Sequence, residues 1–165
     1  MGMTKSVFGK TSNGEVVHLV TVSNQKGMSI EVLDYGATLV SVNVPDKDGH
    51  TEDVALGYDD VLDYEKGDAY LGATVGRCGN RVDHAEFSIN GKEYFMEKNE
   101  GENVCHSGPR CYSRRMWDME LLEEENSVRF HLVSPNMDQG FPGTFEVTVT
   151  YTLTEENELK IHYNG

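Results

Sequence analysis

The side chains best suited to chemistry lie near the two ends of one stretch, from Val75 to Gly108. Asn80 and Arg81 end a glycine-containing turn near its beginning, and His106 lies near its end. An amide, a guanidinium and an imidazole together offer many hydrogen-bond donors and one group that titrates near neutral pH. Such a cluster suits a neutral ligand that is rich in hydroxyl groups, such as a sugar.

A predicted β-hairpin between these residues explains how they could meet. Residues 87–95 form two short alternating runs around Asn90-Gly91. Asn-Gly is the strongest short hairpin signal, because both central residues of a type I′ turn need positive φ. The hairpin folds the chain back on itself, so we expect Asn80, Arg81 and His106 to lie at the same end of a sheet.

Simpler interpretations of these residues remain open. In so acidic a chain, Arg77 and Arg81 could pair with surface carboxylates, and such pairs contribute little to stability. A lone histidine is usually a surface residue or one with its hydrogen bonds satisfied, which is our interpretation of the other five. His106 differs because a polar loop precedes it and a glycine follows two residues later, which places it at a sheet end. Trp117 is interpreted as a packing aromatic.

The three cysteines are Cys78, Cys105 and Cys111. An odd number without a CxxC pair favours a reducing compartment, so we expect a cytoplasmic protein. Together with His106 they match no standard zinc spacing. Cys105 and His106 are also a poor nucleophilic pair, because neighbours on a strand point to opposite faces. We therefore interpret them as small half-buried thiols and expect neither a metal nor another cofactor.

Composition limits the classes of partner. The chain has 28 acidic and 14 basic residues and a net charge of −14. A surface this acidic repels phosphate backbones and anionic lipids. We therefore reject nucleic-acid and membrane-surface roles. No apolar run approaches the roughly 20 residues that a membrane helix needs. The length of 165 residues fits one domain, 1–165.

Short alternating runs separated by turns predict an antiparallel all-β protein, either a sandwich or a barrel-like fold. We take Val16–Val22 as the first strand and place Val40, Val42 and Val44 on one face of a later one. Residues 59–68 are the candidate for a short helix. The other predicted strands are 28–33, 38–44, 52–56, 71–75, 116–122, 128–132, 145–153 and 159–163.

Several motifs, in this order, resemble those of the aldose 1-epimerases (galactose mutarotases). They are Leu33-Asp34-Tyr35-Gly36-Ala37, the run Asp53–Asp59, Gly72–Arg81 with its G-R-x-x-N-R ending, the hairpin followed by Asn103–Gly108, and Gly140–Thr154. The similarity covers almost the whole chain.

The resemblance implies a large antiparallel β-sandwich of the galactose mutarotase-like (supersandwich) type. It also implies interconversion of the α and β anomers of aldohexoses, such as galactose and glucose, without a cofactor. By matching position, Asn80, Arg81 and His106 would bind the sugar. His106 would in addition be catalytic, because it would polarise the region of the ring oxygen.

The chain also departs from the family pattern. In the family the principal acid is a second histidine, in an N-H-x-Y-F-type motif, and the base is a glutamate near the C-terminus; both would follow Gly165. The resemblance therefore implies an N-terminal, truncated part of the sandwich that alone lacks most of the catalysis. We expect it to associate with itself or with the missing C-terminal half. Ser107 stands where Gly is usual, and Cys105 where Leu is usual.

Two other classes stay open at this point. One is a non-catalytic carbohydrate-binding β module that keeps Arg81 and His106 without the chemistry. The other is a purely structural or regulatory domain. Binding of a sugar without turnover would distinguish the first from an enzyme, and no binding at all would favour the second.

Overall fold

The computed structural model describes residues 2–165, which fold mainly into antiparallel strands arranged as two facing sheets. The first sheet contains, in spatial and chain order, β1 (Gly2–Lys10), β2 (Val16–Ser23), β3 (Ser29–Leu33), β4 (Thr38–Pro45) and β5 (Thr51–Asp53). The middle of the chain holds α1 (Val61–Lys66), β6 (Arg81–Val82), β7 (Glu86–Ile89), β8 (Lys92–Phe95) and β9 (Val104–Cys105). The second sheet contains β10 (Asp118–Leu122), β11 (Ser127–Ser134), β12 (Phe145–Leu153) and β13 (Leu159–Asn164).

The core lies between the two sheets, because alternate residues of their strands point inward. Ile30 and Val32 of β3 face Phe130 of β11 and Val149 of β12, and all four side chains are fully buried. The hydroxyl of Tyr151 donates to the backbone carbonyl of Ala37 at 2.7 Å, which ties the sheets together across the core. This arrangement confirms the predicted antiparallel all-β sandwich.

Trp117 belongs to the same core, as its interpretation as a packing aromatic requires. Its ring is 4% exposed and meets Tyr112 edge to face at 5.8 Å. The indole N–H donates to the Tyr112 carbonyl at 3.1 Å, so the one polar atom of the ring is satisfied within the core.

A bulge in β4 corrects the predicted face of its valines. The register passes from Glu31–Ser41 to Val32–Leu39, so one extra residue of β4 lies between these pairs. Such an insertion turns the following side chains to the other face. Val40 therefore packs in a second cluster with Val61 and Tyr64, whereas Val42 and Val44 pack against the main core.

Three predictions about strands were wrong. The first strand is β1, and not β2; β1 lies at a sheet edge and is mostly exposed, so hydrophobic alternation gives no signal there. The strand predicted over 52–56 ends at Asp53, whose carboxylate accepts the Ala55 N–H at 2.9 Å in a turn. Residues 71–75 form no regular strand.

The segment 71–75 is irregular because Gly72 has a φ of +58°. A Cβ at this position would collide with the Leu39 carbonyl, so only glycine fits. The Leu39 N–H donates to the Gly72 carbonyl at 2.9 Å, and the Thr74 N–H donates to the Gly36 carbonyl at 3.0 Å. These two bonds fix the segment against the first sheet, and it leads directly into the turn that carries Asn80 and Arg81.

Across residues 2–165 the longest helix is far shorter than a bilayer crossing requires, and none is apolar enough to make one.

Candidate functional site

Two short strands bring the ends of the Val75–Gly108 stretch together. β6 pairs antiparallel with β9, with Arg81 opposite Cys105. The hairpin between them is formed by β7 and β8, and its turn residues Asn90 and Gly91 have φ values of 52° and 78°. The predicted hairpin is therefore confirmed, and Asn80, Arg81 and His106 do lie at one end of a two-stranded sheet.

The backbone and side chain of His106 both bind Asn80. The His106 N–H donates to the Asn80 carbonyl at 2.9 Å, and the Asn80 N–H donates to Nδ1 of the imidazole at 3.1 Å. Since Nδ1 acts as an acceptor, the ring proton lies on Nε2 in the neutral form. His106 therefore presents an N–H donor at its outer edge, in a fixed orientation.

Tyr70 supports the other side of this imidazole. The two ring centroids are 4.6 Å apart, at an angle of 58° between the planes. Burial raises the pKa of the Tyr70 phenol, so the hydroxyl stays protonated at neutral pH. Held between Asn80 and Tyr70, the imidazole has little freedom to rotate.

Ser107 extends the pairing of β6 and β9 by one more residue. Its Oγ accepts the Cys78 N–H at 2.8 Å and donates to the Cys78 carbonyl at 3.0 Å. Its φ of 69° lies in the region that favours glycine, and its side chain is buried. These two hydrogen bonds help to offset the backbone strain of a serine with this φ.

Arg81 is held by Glu100 and Asn80. Nη2 donates to Oε1 of Glu100 at 2.7 Å, Nε donates to the other carboxylate oxygen, and Nη1 donates to Oδ1 of Asn80 at 3.2 Å. The hydrogen bond from Arg81 lowers the pKa of Glu100, and the charge of the guanidinium adds to this effect. The result is an ionised, bidentate pair at the surface.

Asn99 fixes the loop that carries Glu100. Its Oδ1 accepts the Cys105 N–H at 2.7 Å, and its Nδ2 donates to the Cys105 carbonyl at 2.9 Å. The side chain thus takes the place of a neighbouring strand beside β9. Glu100 is therefore attached on both sides, through Asn99 to the strand before His106 and directly to Arg81.

These side chains line an open cleft of about 500 Å³. Its wall is predominantly polar, as a neutral polyol requires. The lining residues are Asp68, Ala69, Tyr70, Asn80, Arg81, Asn99, Glu100, Cys105 and His106. All three residues proposed from the sequence, Asn80, Arg81 and His106, are among them.

Arg77 has a different role, and the simpler interpretation in which it pairs with a surface carboxylate does not hold for it. Its guanidinium donates to Oγ of Ser134 at 3.0 Å and lies between the rings of Phe141 and Phe145, 5.8 and 5.7 Å from their centroids. It also donates to the carbonyls of Ser134, Pro135, Pro142 and Gly143, at 2.9 to 3.1 Å. Arg77 thereby joins the turn of the site to the β11–β12 connection. Arg81, in contrast, does pair with a surface acid.

Glu100, Asn99 and Tyr70 could not be identified from the sequence as parts of the cleft. Glu100 and Asn99 lie in the polar loop 96–103, where glutamate and asparagine are frequent and have no periodic pattern. Tyr70 follows the helix with a φ of 52°. Only the three-dimensional return of the chain at β9 reveals that these residues lie beside Arg81 and His106.

The interpretation as half-buried thiols is right for Cys78 and Cys105 and wrong for Cys111. All are free; Cys78 and Cys105 are half-buried, and Cys111 is fully buried. Within residues 2–165, no cluster of three or more histidine, cysteine, aspartate or glutamate side chains is arranged to hold a metal ion.

Comparison with known proteins gives a consistent result. The family model described as aldose 1-epimerase matches residues 18–165. The aldose 1-epimerase of Haemophilus influenzae is 41% identical over 153 residues, which are 93% of this chain and 44% of that protein. The galactose mutarotase of Sus scrofa is 34% identical over 167 residues, covering 100% of this chain and 47% of that protein.

Solved structures agree with the sequence comparisons. The galactose 1-epimerase of Lactobacillus acidophilus superposes with a TM-score of 0.83 at 29% identity, over 99% of this chain and 47% of that one. An aldose epimerase homologue from C. elegans gives a TM-score of 0.82 at 35% identity, over 88% of this chain and 44% of that one. The chain thus spans about half the length of the curated relatives that it matches.

Proposed function

Because this chain belongs to the aldose 1-epimerase family, we propose that its cleft binds an aldohexose and forms the N-terminal share of a site that interconverts α and β anomers. The observation that carries the proposal is the convergence of Asn80, Arg81 and His106 on one cleft. The family's G-R-x-x-N-R and N-x-x-H motifs supply these three residues. The sandwich fold is that of the galactose mutarotase-like proteins.

The chemistry of anomer exchange explains why such donors are useful. Ring opening removes the proton of the anomeric hydroxyl, breaks the bond between C1 and the ring oxygen, and delivers a proton to that oxygen. Rotation about C1–C2 and closure then yield the other anomer. The Nε2–H of His106 and the guanidinium of Arg81 would stabilise negative charge as it develops on the ring oxygen. In the family pattern the base for the anomeric hydroxyl and the principal acid lie beyond the part that matches this chain, so we propose that a C-terminal half supplies them.

We predict that the isolated chain accelerates the mutarotation of galactose only weakly, because the acid–base pair is incomplete. General acid–base groups each contribute about 10²- to 10⁴-fold, so their loss removes most of the rate enhancement. Polarimetry on freshly dissolved α-galactose measures the rate with and without the chain. Turnover as fast as that of a full-length relative assayed in parallel would contradict this prediction.

An Arg81→Ala, His106→Ala double variant is the control for the same assay. Any acceleration that depends on the cleft disappears in this variant, whereas acceleration by unspecific surface groups persists. Binding of galactose with no cleft-dependent acceleration would favour the alternative function, a non-catalytic carbohydrate-binding module. If the chain neither binds galactose nor accelerates its mutarotation, both functions are excluded.

We further propose that residues 1–165 are one partial β-sandwich domain that associates with a second copy or with a C-terminal half. Both sheets end in edge strands, and the last strand β13 exposes Ile161 by 42% and Tyr163 by 56%. Val54 and Leu56, after β5, are 70% and 77% exposed. Unpaired edges beside apolar side chains are typical of surfaces that another chain covers.

Sedimentation velocity tests this association directly. We expect the isolated chain to sediment as a dimer or larger species, and an Ile161→Glu variant to shift the distribution towards the monomer, because the new charge repels a covering strand. A chain that sediments as a monomer over the accessible concentration range would contradict association with a second copy. The proposed cytoplasmic location agrees with the free thiols of the cysteines, which suit a reducing compartment.

A further inference from the structure

Several hydrogen-bond acceptors of the cleft already bind groups of the protein, whereas several donors beside them stay free. Three acceptors are already used within the protein: Oδ1 of Asn80 by Arg81, Nδ1 of His106 by the Asn80 N–H, and Oδ1 of Asn99 by the Cys105 N–H. On the donor side, Nε2 of His106 carries a proton, and Arg81 uses three of its five N–H groups in the bonds to Glu100 and Asn80. A sugar hydroxyl donates as well as accepts, so a complete site also needs an acceptor.

Glu100 is the acceptor best placed beside these donors. The Glu100 carboxylate can accept about four hydrogen bonds in all, and Arg81 occupies one position on each of its two oxygens. The side chains of Glu100 and Arg81 are 43% and 57% exposed, so a ligand in the cleft can reach both. Asp68 is the other carboxylate in the lining.

The position of the pair is also set from two directions. Both Glu100 oxygens bind the planar guanidinium, and Asn99 fastens the preceding residue to the strand before His106. A bidentate guanidinium–carboxylate pair sets a donor edge beside an acceptor edge. One hydroxyl can accept from Arg81 and donate to Glu100 at the same time.

From this geometry we propose that Glu100 is a sugar-binding residue that accepts a hydrogen bond from one hydroxyl of the hexose, and thereby determines specificity at that hydroxyl together with Arg81. The inference rests on the proposed function and adds the residue that recognises the ligand as a hydrogen-bond donor. A sugar that lacks this hydroxyl leaves the carboxylate without its ligand partner, which costs more than the loss of a neutral contact.

The test is a titration of the wild-type chain and of Glu100→Gln with galactose and with the set of monodeoxygalactoses, followed by NMR chemical shifts. Glu100→Gln keeps the size of the side chain but removes its charge and half of its acceptor capacity. We expect about a 10-fold weaker affinity for galactose, as for the loss of one hydrogen bond to a charged group. One deoxy sugar should bind the wild-type chain more weakly than galactose does, by about the same factor. With Glu100→Gln, galactose and this deoxy sugar should bind almost equally well, because the substitution and the missing hydroxyl remove the same bond.

Two variants serve as controls. Glu102→Gln alters a carboxylate in the same loop that pairs with Lys98 outside the cleft, and its affinity should equal that of the wild type. Asp68→Asn alters the other carboxylate of the lining and should have the smaller effect. Thermal unfolding should be nearly the same in all four proteins, because exposed ion pairs contribute little to stability.

The outcomes separate this inference from the proposed function. If the wild-type chain binds no hexose, the proposed function fails and the inference fails with it. If the wild type binds and Glu100→Gln binds equally well, or if Asp68→Asn alone loses affinity, only the inference is overturned. The same holds if Glu100→Gln weakens every deoxy sugar by one common factor, since Glu100 would then act only by positioning Arg81.

Discussion

Replacing His106 by asparagine is expected to weaken the binding of galactose by about 5- to 10-fold, while leaving the fold intact. Oδ1 of asparagine can replace Nδ1 as the acceptor for the Asn80 N–H, and asparagine tolerates the φ of 52° at this position. What the variant lacks is the Nε2–H donor that faces the ligand. Combining it with Arg81→Met should bring the loss to about 100-fold or more, because a charged donor is removed as well.

Calorimetric titration with galactose measures this effect, and thermal unfolding checks that the variant is folded. His50→Asn is the matched control, since His50 lies in the exposed turn between β4 and β5 and is remote in sequence from the cleft residues. Its affinity should equal that of the wild type. Equal affinities for His106→Asn and His50→Asn would remove His106 from the proposed site.

The second large effect is one of stability. Replacing Arg77 by methionine should lower the free energy of unfolding by about 2 to 3 kcal/mol, because the half-buried guanidinium is the donor for several backbone carbonyls at once. The guanidinium satisfies the carbonyl of Ser134, whose side chain is fully buried, and three further carbonyls of the β11–β12 connection. Methionine keeps apolar volume between Phe141 and Phe145 but donates no hydrogen bond.

Urea unfolding of Arg77→Met and of Arg129→Met gives a matched comparison. Arg129 pairs with Glu120 at 3.1 Å on the surface of the second sheet, with 41% of its side chain exposed, so its loss should change the free energy by less than about 1 kcal/mol. Arg77→Lys should recover only part of the loss, because a compact ammonium cannot reach all five acceptors. Similar stabilities for Arg77→Met and Arg129→Met would contradict the cross-linking role of Arg77.

The parts of the fold that bury apolar faces could be read from the sequence. β12 was predicted with its observed bounds, since its inward valines and tyrosine alternate with threonines. The Asn90-Gly91 turn was predicted because few other residue pairs adopt two successive positive φ values. β1 escaped prediction because an exposed edge strand needs no apolar pattern, and the bulge in β4 escaped because it reverses the faces without any change in composition.

The residues of the candidate site likewise include some that could be predicted from the sequence and some that could not. Asn80, Arg81 and His106 could be proposed because family motifs and the hairpin both direct attention to them. Glu100 and Asn99 could not be proposed, because they reach the cleft only through the position of the loop that carries them. The role of Arg77 was also not predictable: a charged residue in an acidic chain suggests an ion pair as one alternative, and only the packed structure shows that carbonyl oxygens bind it.

The central claim is that an aldohexose binds in the cleft beside His106 and Arg81, and a galactose titration of the ¹⁵N-labelled chain tests it most directly. We expect the amide shifts of Tyr70, Asn80, Arg81, Glu100 and His106 to change together along one binding curve, while those of β10–β13 stay unchanged. Shifts that move only on the second sheet, or that do not move at saturating galactose, would contradict it.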